Sequence, residues 1–394
     1  RNKKQMNKLA LQTKLKRLLI AGGLAALVAV PLLSGNAGMR KVDAAQGDVK
    51  INSTNFPDEG FRKYISKNID RNKDGVLSKA EIKKVTEIKL EHYDETGNEY
   101  VYNDLTGIGV FTELKRLECE SQKSLSKLDL HKNTKLEFVN CGHNGIKELN
   151  VSKLTKLKEL SCYDNKLTKL DVSKNVKLEI LTCDSNNLTG LDLRKNTKLV
   201  ELYCSSNKLT KLNLTKNTKL HDLWCDSNKL IKLDVSKNTK LSRIVCSSNK
   251  LTKLDVTKNL DLVDLYCDTN KLTKLNVDKN EKLIGLVCSD NKLTQLHLTN
   301  NKQLVKLECA KNQLTQLDTS HNNALVWVVC TNNRLTKLDF SASPLCNSVV
   351  CNENKLTEII VPKNMENDRI YYDKNLKVSI KKKTKTSQKW NLFC

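Results

Sequence analysis

Cysteine recurs in this chain at a fixed interval, and that interval limits the folds that the chain can adopt. The run Leu199–Lys219, LVELYCSSNKLTKLNLTKNTK, is representative of a unit of 21 residues. Cys119 precedes the regular series by 22 residues, and the series itself, without one slip, is Cys141, Cys162, Cys183, Cys204, Cys225, Cys246, Cys267, Cys288, Cys309, Cys330 and Cys351. A period in the twenties is typical of a solenoid, in which each unit packs only against its neighbours. The sequence therefore predicts one elongated repeat domain rather than several globular ones.

The pattern inside each unit predicts a mostly β solenoid. Counting positions from Leu199, apolar residues occupy positions 1, 4, 6, 11, 14 and 16, and asparagines occupy positions 9 and 19. Because side chains alternate across a strand, positions 4 and 6 point into the core while positions 3 and 5 point outward. No part of a unit has a helical period, so we expect two short extended segments and two tight turns per coil, with parallel coils about 4.8 Å apart. The asparagines are expected to hydrogen-bond from coil to coil and to satisfy buried backbone groups.

The cysteines of this series are predicted to be buried thiols. Side chains on stacked coils point the same way at a spacing of about 4.8 Å, whereas a disulfide needs Cβ atoms that converge to about 3.8 Å. Metal binding would need Cys-x-x-Cys pairs or interleaved histidines, and the six histidines fit neither pattern. The thiols are therefore expected to pack as small apolar residues. The redox states of Cys346 and Cys394, which lie outside the series, are left open.

Residues 1–44 are predicted to be a secretory signal peptide. Basic residues between Lys8 and Arg17 precede the apolar run Leu18–Leu33, and Val42 and Ala44 supply small residues at positions −3 and −1 of a cleavage site. A membrane anchor is the alternative, but this run of 16 residues is shorter than the roughly 20 that span a bilayer. The mature chain is expected to contain no transmembrane span.

A small helical cap is predicted between the signal peptide and the repeats. Pro57 begins an amphipathic helix, and a second helix begins at Ser78, which forms a capping box with Glu81. The intervening loop, DRNKDGVLSKAE, has oxygen donors at the EF-hand positions and a glycine at the sharp turn. We predict that this single loop binds Ca²⁺, the alternative being a polar turn that only keeps the shape. The predicted ligands are Asp70, Asn72, Asp74, the carbonyl oxygen of Val76, Ser78 and Glu81.

From about Leu105 to Leu356 the units resemble the bacterial leucine-rich repeats of 21 residues, in the nested form in which both halves follow L-x-x-L-x-(C/L/V)-x-x-N. The cysteine at position 6 is similar to a cysteine ladder of the internalin family of surface adhesins. The resemblance implies a curved solenoid outside a Gram-positive-type cell that binds its partner through the concave face. The EF-hand ahead of the repeats also resembles secreted leucine-rich proteins of Gram-positive anaerobes.

A candidate ligand face follows from the outward positions of the cysteine-bearing strand. Aromatic residues make up only 5% of the chain, yet several share position 5 beside acidic residues at position 3. An exposed apolar patch with hydrogen-bonding neighbours suits a protein or glycan partner. The alternative is that such side chains merely suit a strand surface, with Arg243 relieving the repulsion between two aspartates. The predicted ligand face comprises Glu201, Tyr203, Asp222, Trp224, Asp264, Tyr266 and Trp327.

The sequence favours a binding protein over an enzyme. It contains no glycine-rich phosphate loop, metal triad or distinctive pairing of histidine with serine or cysteine. Lysines at position 13 stand beside aspartates at position 15 and lack interleaved aromatics, so no nucleic-acid partner is expected.

We therefore predict a secreted or cell-surface, adhesin-like binding protein, monomeric, with a protein or glycan ligand. The alternative is a structural, wall-associated protein, since the net charge of +24 favours adhesion to anionic polymers. The predicted domains are the signal peptide, 1–44; the EF-hand-like cap, 45–98; the leucine-rich-repeat solenoid, 99–356; and a C-terminal cap with a basic tail, 357–394.

Overall fold

The structure, a computed structural model, describes residues 47–90, 101–122, 125–374 and 376–383. These residues belong to one compact unit, Ala44–Cys394. The other unit, Arg1–Asp43, holds most of the predicted signal peptide and lies outside the described residues, as does Cys394. No helix within the described ranges combines the length and the apolar character needed to cross a bilayer.

The chain begins with a small cap of two helices and two short strands. Its elements are β1 (Val49–Lys50), α1 (Glu59–Asn68), β2 (Val76–Leu77) and α2 (Lys79–Lys84). Helix α1 starts after Asp58, whose carboxylate accepts a hydrogen bond from the Phe61 N–H at 2.7 Å. The predicted capping box of Ser78 and Glu81 at the start of α2 is confirmed. Strand β1 pairs antiparallel with β2, which is part of the loop between the two helices.

The remaining chain forms a stack of coils, which contribute one short strand each to a parallel sheet of 14 strands. Each strand pairs with the next in register, so that Asp222, Arg243 and Asp264 are neighbours across three successive strands. The sheet consists of β3 (Glu87–Lys89), β4 (Arg116–Glu118), β5 (Phe138–Asn140), β6 (Glu159–Ser161), β7 (Ile180–Thr182), β8 (Glu201–Tyr203), β9 (Asp222–Trp224), β10 (Arg243–Val245), β11 (Asp264–Tyr266), β12 (Gly285–Val287), β13 (Lys306–Glu308), β14 (Trp327–Val329), β16 (Ser348–Val350) and β18 (Ile370–Tyr371).

The core of the solenoid is a continuous apolar column beneath this sheet. The leucines and valines of positions 1, 4, 11 and 16 are almost all fully buried, as are the cysteines from Cys119 to Cys351. All thirteen cysteines of the described ranges are free thiols. Burial raises the pKa of the Cys141 and Cys309 thiols to about 12. The prediction that the series consists of inert, buried thiols is confirmed.

Two rows of asparagine amides connect neighbouring coils, as predicted. At position 9, the Asn228 amide donates to the carbonyl oxygens of Cys204 at 3.0 Å and Cys225 at 3.2 Å, and its oxygen accepts from the Leu209 N–H at 2.9 Å. At position 19, the Asn217 amide donates to the carbonyl oxygens of Leu193 and Asn196. A coil that carries both asparagines is thus bonded to its neighbour on both sides of the strand.

The second half of each coil differs from the prediction. Paired strands occur there only at the C-terminal end, in a three-stranded sheet of β15 (Lys337–Asp339), β17 (Glu358–Pro362) and β19 (Ser379–Lys383), apart from one bridge between Leu128 and Leu149 among the described residues. In most coils the Asp or Asn at position 15 accepts a hydrogen bond from the N–H two residues later, as Asp234 does from Ser236 at 2.9 Å. Asp339 in the paired strand β15 accepts the same bond from Ser341, so this local turn is compatible with strand pairing.

Strand pairing also continues past the predicted solenoid boundary at Leu356. Ile370 and Tyr371 of β18 extend the main sheet, and Lys381 to Lys383 lie in β19. The described part of the predicted C-terminal cap therefore adds a further coil of the same kind.

Candidate functional site

The outward side chains of β8 to β11 form a connected cluster of aromatic and acidic groups, here called the sheet-face cluster: Glu201, Tyr203, Asp222, Trp224, Arg243, Asp264 and Tyr266. Their common direction follows from strand alternation, because the intervening residues Leu202, Leu223, Ile244 and Leu265 are fully buried beneath them. Six of the seven predicted ligand-face residues are brought together here. Trp327, on β14, is 37% exposed and lies three strands further along the sheet.

Hydrogen bonds hold the aromatic part of the cluster in place. The Tyr203 hydroxyl donates to Glu201 Oε2 at 2.8 Å, and Trp224 Nε1 donates to Asp222 Oδ1 at 2.8 Å. The two rings lie 5.8 Å apart, centroid to centroid, at a tilt of 55°. Tyr203 is only 8% exposed, so Trp224 and Tyr266 present most of the accessible aromatic surface.

Arg243 joins the acidic residues of the cluster. Its Nη1 lies 3.3 Å from Asp222 Oδ2, and its Nε lies 3.3 Å from Asp264 Oδ2. The expectation that Arg243 separates two aspartates and relieves their repulsion is confirmed. Burial, followed by the nearby Asp264 carboxylate, raises the pKa of the Tyr266 hydroxyl, which therefore stays protonated at neutral pH.

A second acidic column, which the sequence analysis missed, lies immediately after the cysteines at position 7. There, aspartates and serines alternate from coil to coil as Asp184, Ser205, Asp226, Ser247 and Asp268. The Ser205 N–H donates to Asp184 Oδ1 at 2.7 Å, and the Ser205 hydroxyl donates to Asp226. Burial raises the pKa of Asp184 to about 6 and also raises that of Asp268. The sequence does contain a signal for this column, because aspartate recurs at position 7 in every second unit.

Hydrogen bonds within the predicted calcium loop close it into a compact turn. Gly75 adopts the left-handed conformation with φ of 78°, and the Asp70 carboxylate accepts hydrogen bonds from the N–H groups of Lys73 at 2.8 Å and Gly75 at 3.0 Å. Glu81 closes the loop, because its two carboxylate oxygens accept from the Arg71 and Ser78 N–H groups, each at 2.9 Å.

These contacts bring the six predicted ligands into one loop whose donors are all oxygen, the set that Ca²⁺ prefers. The carboxylate oxygens now accept backbone N–H groups, and the described ranges contain no ready-made group of three acidic, histidine or cysteine ligands. Calcium binding thus stays a prediction.

The fold is similar to that of known bacterial proteins, although no protein-family model and no curated protein sequence matches the chain. The functional domain of InlJ from Listeria monocytogenes, which includes a cysteine ladder, is 31% identical, with a TM-score of 0.70 over 85% of this chain and 78% of that domain. The internalin InlF of the same organism is 19% identical, with a TM-score of 0.65 over 84% of this chain and 96% of its own.

A leucine-rich-repeat protein from Leptospira interrogans is 21% identical, with a TM-score of 0.60 over 70% of this chain and 79% of its own. The likenesses to InlF and to the Leptospira protein concern the fold alone. The likeness to InlJ extends to the sequence and to the row of buried cysteines, and on that basis the chain belongs to the internalin family of leucine-rich-repeat proteins.

Proposed function

We propose that this chain is a secreted or cell-surface binding protein that recognises a protein or glycan through the sheet-face cluster. The supporting observation is that Trp224 and Tyr266 are held at the surface of a rigid sheet beside three carboxylates. Aromatic side chains fixed in this way bind partners at little entropic cost. The cluster contains no nucleophile aligned with a base, so the arrangement suits binding rather than catalysis.

The test compares the native mature chain with the double variant Trp224→Ala, Tyr266→Ala. A surface-protein pull-down and a glycan array identify the partner, and its affinity for both forms is then measured. Loss of two aromatic anchors should weaken binding at least about 30-fold, since each contributes about 1–2 kcal/mol or more at an interface centre. Ile231→Ala with Leu260→Ala, which removes two exposed apolar side chains outside the cluster, is the matched control. Equal affinities for all three forms would refute the face assignment.

A second candidate function, retention on anionic wall polymers, is supported by the exposed lysines of position 13. Lys211, Lys232 and Lys253 form no ion pair with any described residue. Adhesion through such lysines should collapse between low and moderate salt, because exposed charges are screened within about 10 Å at 0.1 M. The test measures binding of the mature chain to a teichoic-acid-type polymer at 20 and 200 mM salt. Loss of binding at the higher salt supports retention through the lysines, whereas recognition by the sheet-face cluster is expected to resist salt.

We also propose that the cap binds one Ca²⁺ through Asp70, Asn72, Asp74, the Val76 carbonyl, Ser78 and Glu81. A bound calcium would neutralise the clustered carboxylates and fix the loop between α1 and α2. Strand β1 supports this site, because it pairs with β2 and the Ile51 N–H donates to the Gly75 carbonyl at 2.9 Å. In paired EF-hands the two loops contact each other along this strand. Here β1 pairs with β2 at that edge, so that a single loop is supported.

Calorimetry with 10 mM Ca²⁺ and with chelator tests this proposal. A dissociation constant of about 10⁻⁴ to 10⁻³ M gives a stabilisation of about 1–3 kcal/mol at that concentration. Glu81→Gln, which removes the carboxylate at loop position 12, should abolish the calcium-dependent shift. Glu59→Gln, which removes one acid from α1 outside the loop, should preserve it. Identical transitions of the native chain with and without calcium would exclude the site.

A further inference from the structure

Positions 10 to 13 of the coil present an unbroken cationic surface over four successive coils. The sequence at these positions is K-L-T-K in three of the four units and K-L-I-K in the fourth. The leucine at position 11 is fully buried, whereas the side chains of positions 10, 12 and 13 are exposed. These exposed residues, here called the lysine strip, are Lys208, Thr210, Lys211, Lys229, Ile231, Lys232, Lys250, Thr252, Lys253, Lys271, Thr273 and Lys274.

Backbone hydrogen bonds fix the spacing of the strip. The Lys229 N–H donates to the carbonyl oxygen of Leu209 in the preceding coil at 2.9 Å, and the Lys250 N–H donates to that of Leu230 at 2.9 Å. The lysines of position 10 therefore leave the backbone at points one coil apart, about 4.8 Å. A ligand that lies along the stack of coils meets two further ammonium groups at each coil that it crosses.

The charge of the strip is not offset by the acids of the same coils. Asp234, at position 15, accepts the Ser236 N–H at 2.9 Å, and the hydrogen bonds from Ser236, followed by the charge of Lys237 at position 18, lower the pKa of its carboxyl. At position 21, Lys282 pairs with Asp261 at 2.5 Å. The strip itself contains no acid, and none of its eight lysines forms an ion pair with any described residue.

We infer that the lysine strip binds a linear phosphodiester polymer that lies along the stack of coils. Phosphate oxygens accept charge-assisted hydrogen bonds from lysine, and the side chains of the strip supply ammonium groups and threonine hydroxyls without a competing carboxylate. The strip has no aromatic side chain on which a nucleic-acid base could stack. This inference rests on the second candidate function, retention on anionic wall polymers, and assigns it a site and a ligand orientation.

The experiment measures the affinity of the mature chain for poly(glycerol phosphate) in the native form and in two double variants of equal net charge. Lys229→Gln with Lys250→Gln removes two cations from the strip, and Lys237→Gln with Lys258→Gln removes two exposed lysines of position 18 in the same coils. The first variant should bind about tenfold more weakly at low salt. Its plot of log affinity against log salt should flatten by about 1.4, taking about 0.7 per phosphate contact as for a single strand. The second should change the affinity less than about twofold.

A gain of affinity supplies a readout that misfolding cannot produce. Ile231 is 56% exposed within the strip, and Leu260 is 57% exposed at position 20. Ile231→Lys should tighten binding about threefold, whereas Leu260→Lys, which adds the same charge elsewhere on the coil, should leave it nearly unchanged. A poly(glycerol phosphate) chain of eight units should also bind at least about tenfold more tightly than one of two units, because the longer chain contacts several coils at once.

The outcomes separate the inference from the function on which it rests. Equal losses in the two double variants, or equal gains in the two lysine additions, would overturn the inference and leave retention to the net charge. Equal affinities for the short and long chains would reject the orientation along the coils, and tighter binding of a sulfated glycan than of poly(glycerol phosphate) would reject the phosphodiester class. If the native chain binds no anionic polymer even at low salt, the second candidate function itself fails.

Discussion

The asparagines of position 9 should contribute more to stability than any other polar residue of the coil. In Asn228→Ala, the buried Leu209 N–H loses its acceptor, and the carbonyl oxygens of Cys204, Cys225 and Asp226 each lose one donor. A buried, unsatisfied N–H costs about 1–3 kcal/mol, and weakening of the three carbonyl contacts adds about 1–2 kcal/mol. We therefore expect the free energy of unfolding to fall by about 2–5 kcal/mol.

The control is the same substitution one half-coil away. Asn213 is exposed, and its oxygen accepts from the Thr215 N–H at 3.1 Å and hydroxyl at 2.8 Å. Because water replaces these bonds, Asn213→Ala should cost less than about 1 kcal/mol.

The assay is unfolding in urea, monitored by circular dichroism. The comparison is valid if the free energy of unfolding depends equally steeply on urea concentration in all the proteins. Asn228→Asp keeps the acceptor for Leu209 but points a carboxylate oxygen at three carbonyls, so it should be at least as damaging as alanine. Equal midpoints for Asn228→Ala and Asn213→Ala would refute the assigned role of the asparagine row.

Two further predictions concern pH and backbone conformation. Burial raises the pKa of Asp184 to about 6, so its contribution to stability is complete below the ordinary pKa and is lost as pH rises through 6. Between pH 4 and 6 the native chain should therefore lose about 2 kcal/mol of stability relative to Asp184→Asn. Parallel dependence of the melting temperature on pH in the two proteins would contradict this. Ser206 is exposed with φ of 53°, so Ser206→Val should cost about 1–2 kcal/mol, whereas Ser206→Gly should be neutral or slightly stabilising; equal melting temperatures of the two variants would show that the left-handed turn carries no strain.

The fold was predictable because one local pattern repeats with an unchanged period. A single unit fixes the inward positions, and stacking repeats them, so the buried cysteines and the coil-to-coil asparagine bonds followed from alternation and spacing alone. The second half-coil was less predictable. Its L-x-L pattern is compatible with a paired strand, yet among the described residues strands pair there only in the sheet of β15, β17 and β19 and at the bridge between Leu128 and Leu149. The position-15 turn does not explain this difference, because Asp339 in the paired strand β15 accepts the same backbone bond as Asp234. The approach of neighbouring coils on this side depends on geometry that apolar spacing does not encode.

The left-handed residues of position 8 show a similar limit. Such a backbone conformation usually selects glycine or asparagine, yet Ser206, Ser227 and Ser248 adopt it here with φ between 52° and 55°. The turn is imposed by its neighbours, because the Ser227 N–H bonds to the next coil and the adjacent Asn228 anchors three carbonyls. Tertiary contacts therefore override the residue preference that a sequence analysis relies on.

The sheet-face cluster illustrates why charge in a solenoid has to be summed by column. A fixed period places the side chains of one repeat position in a line, about 4.8 Å apart. Residues of like charge at that position therefore concentrate their charge on one face, whatever the net charge of the chain. The lysines of this chain dominate its net charge of +24, yet position 3 of β8, β9 and β11 carries Glu201, Asp222 and Asp264. A partner that contacts these strands meets the local charge at short range, so the sheet-face cluster, rather than the net charge of the chain, should decide which partner binds there.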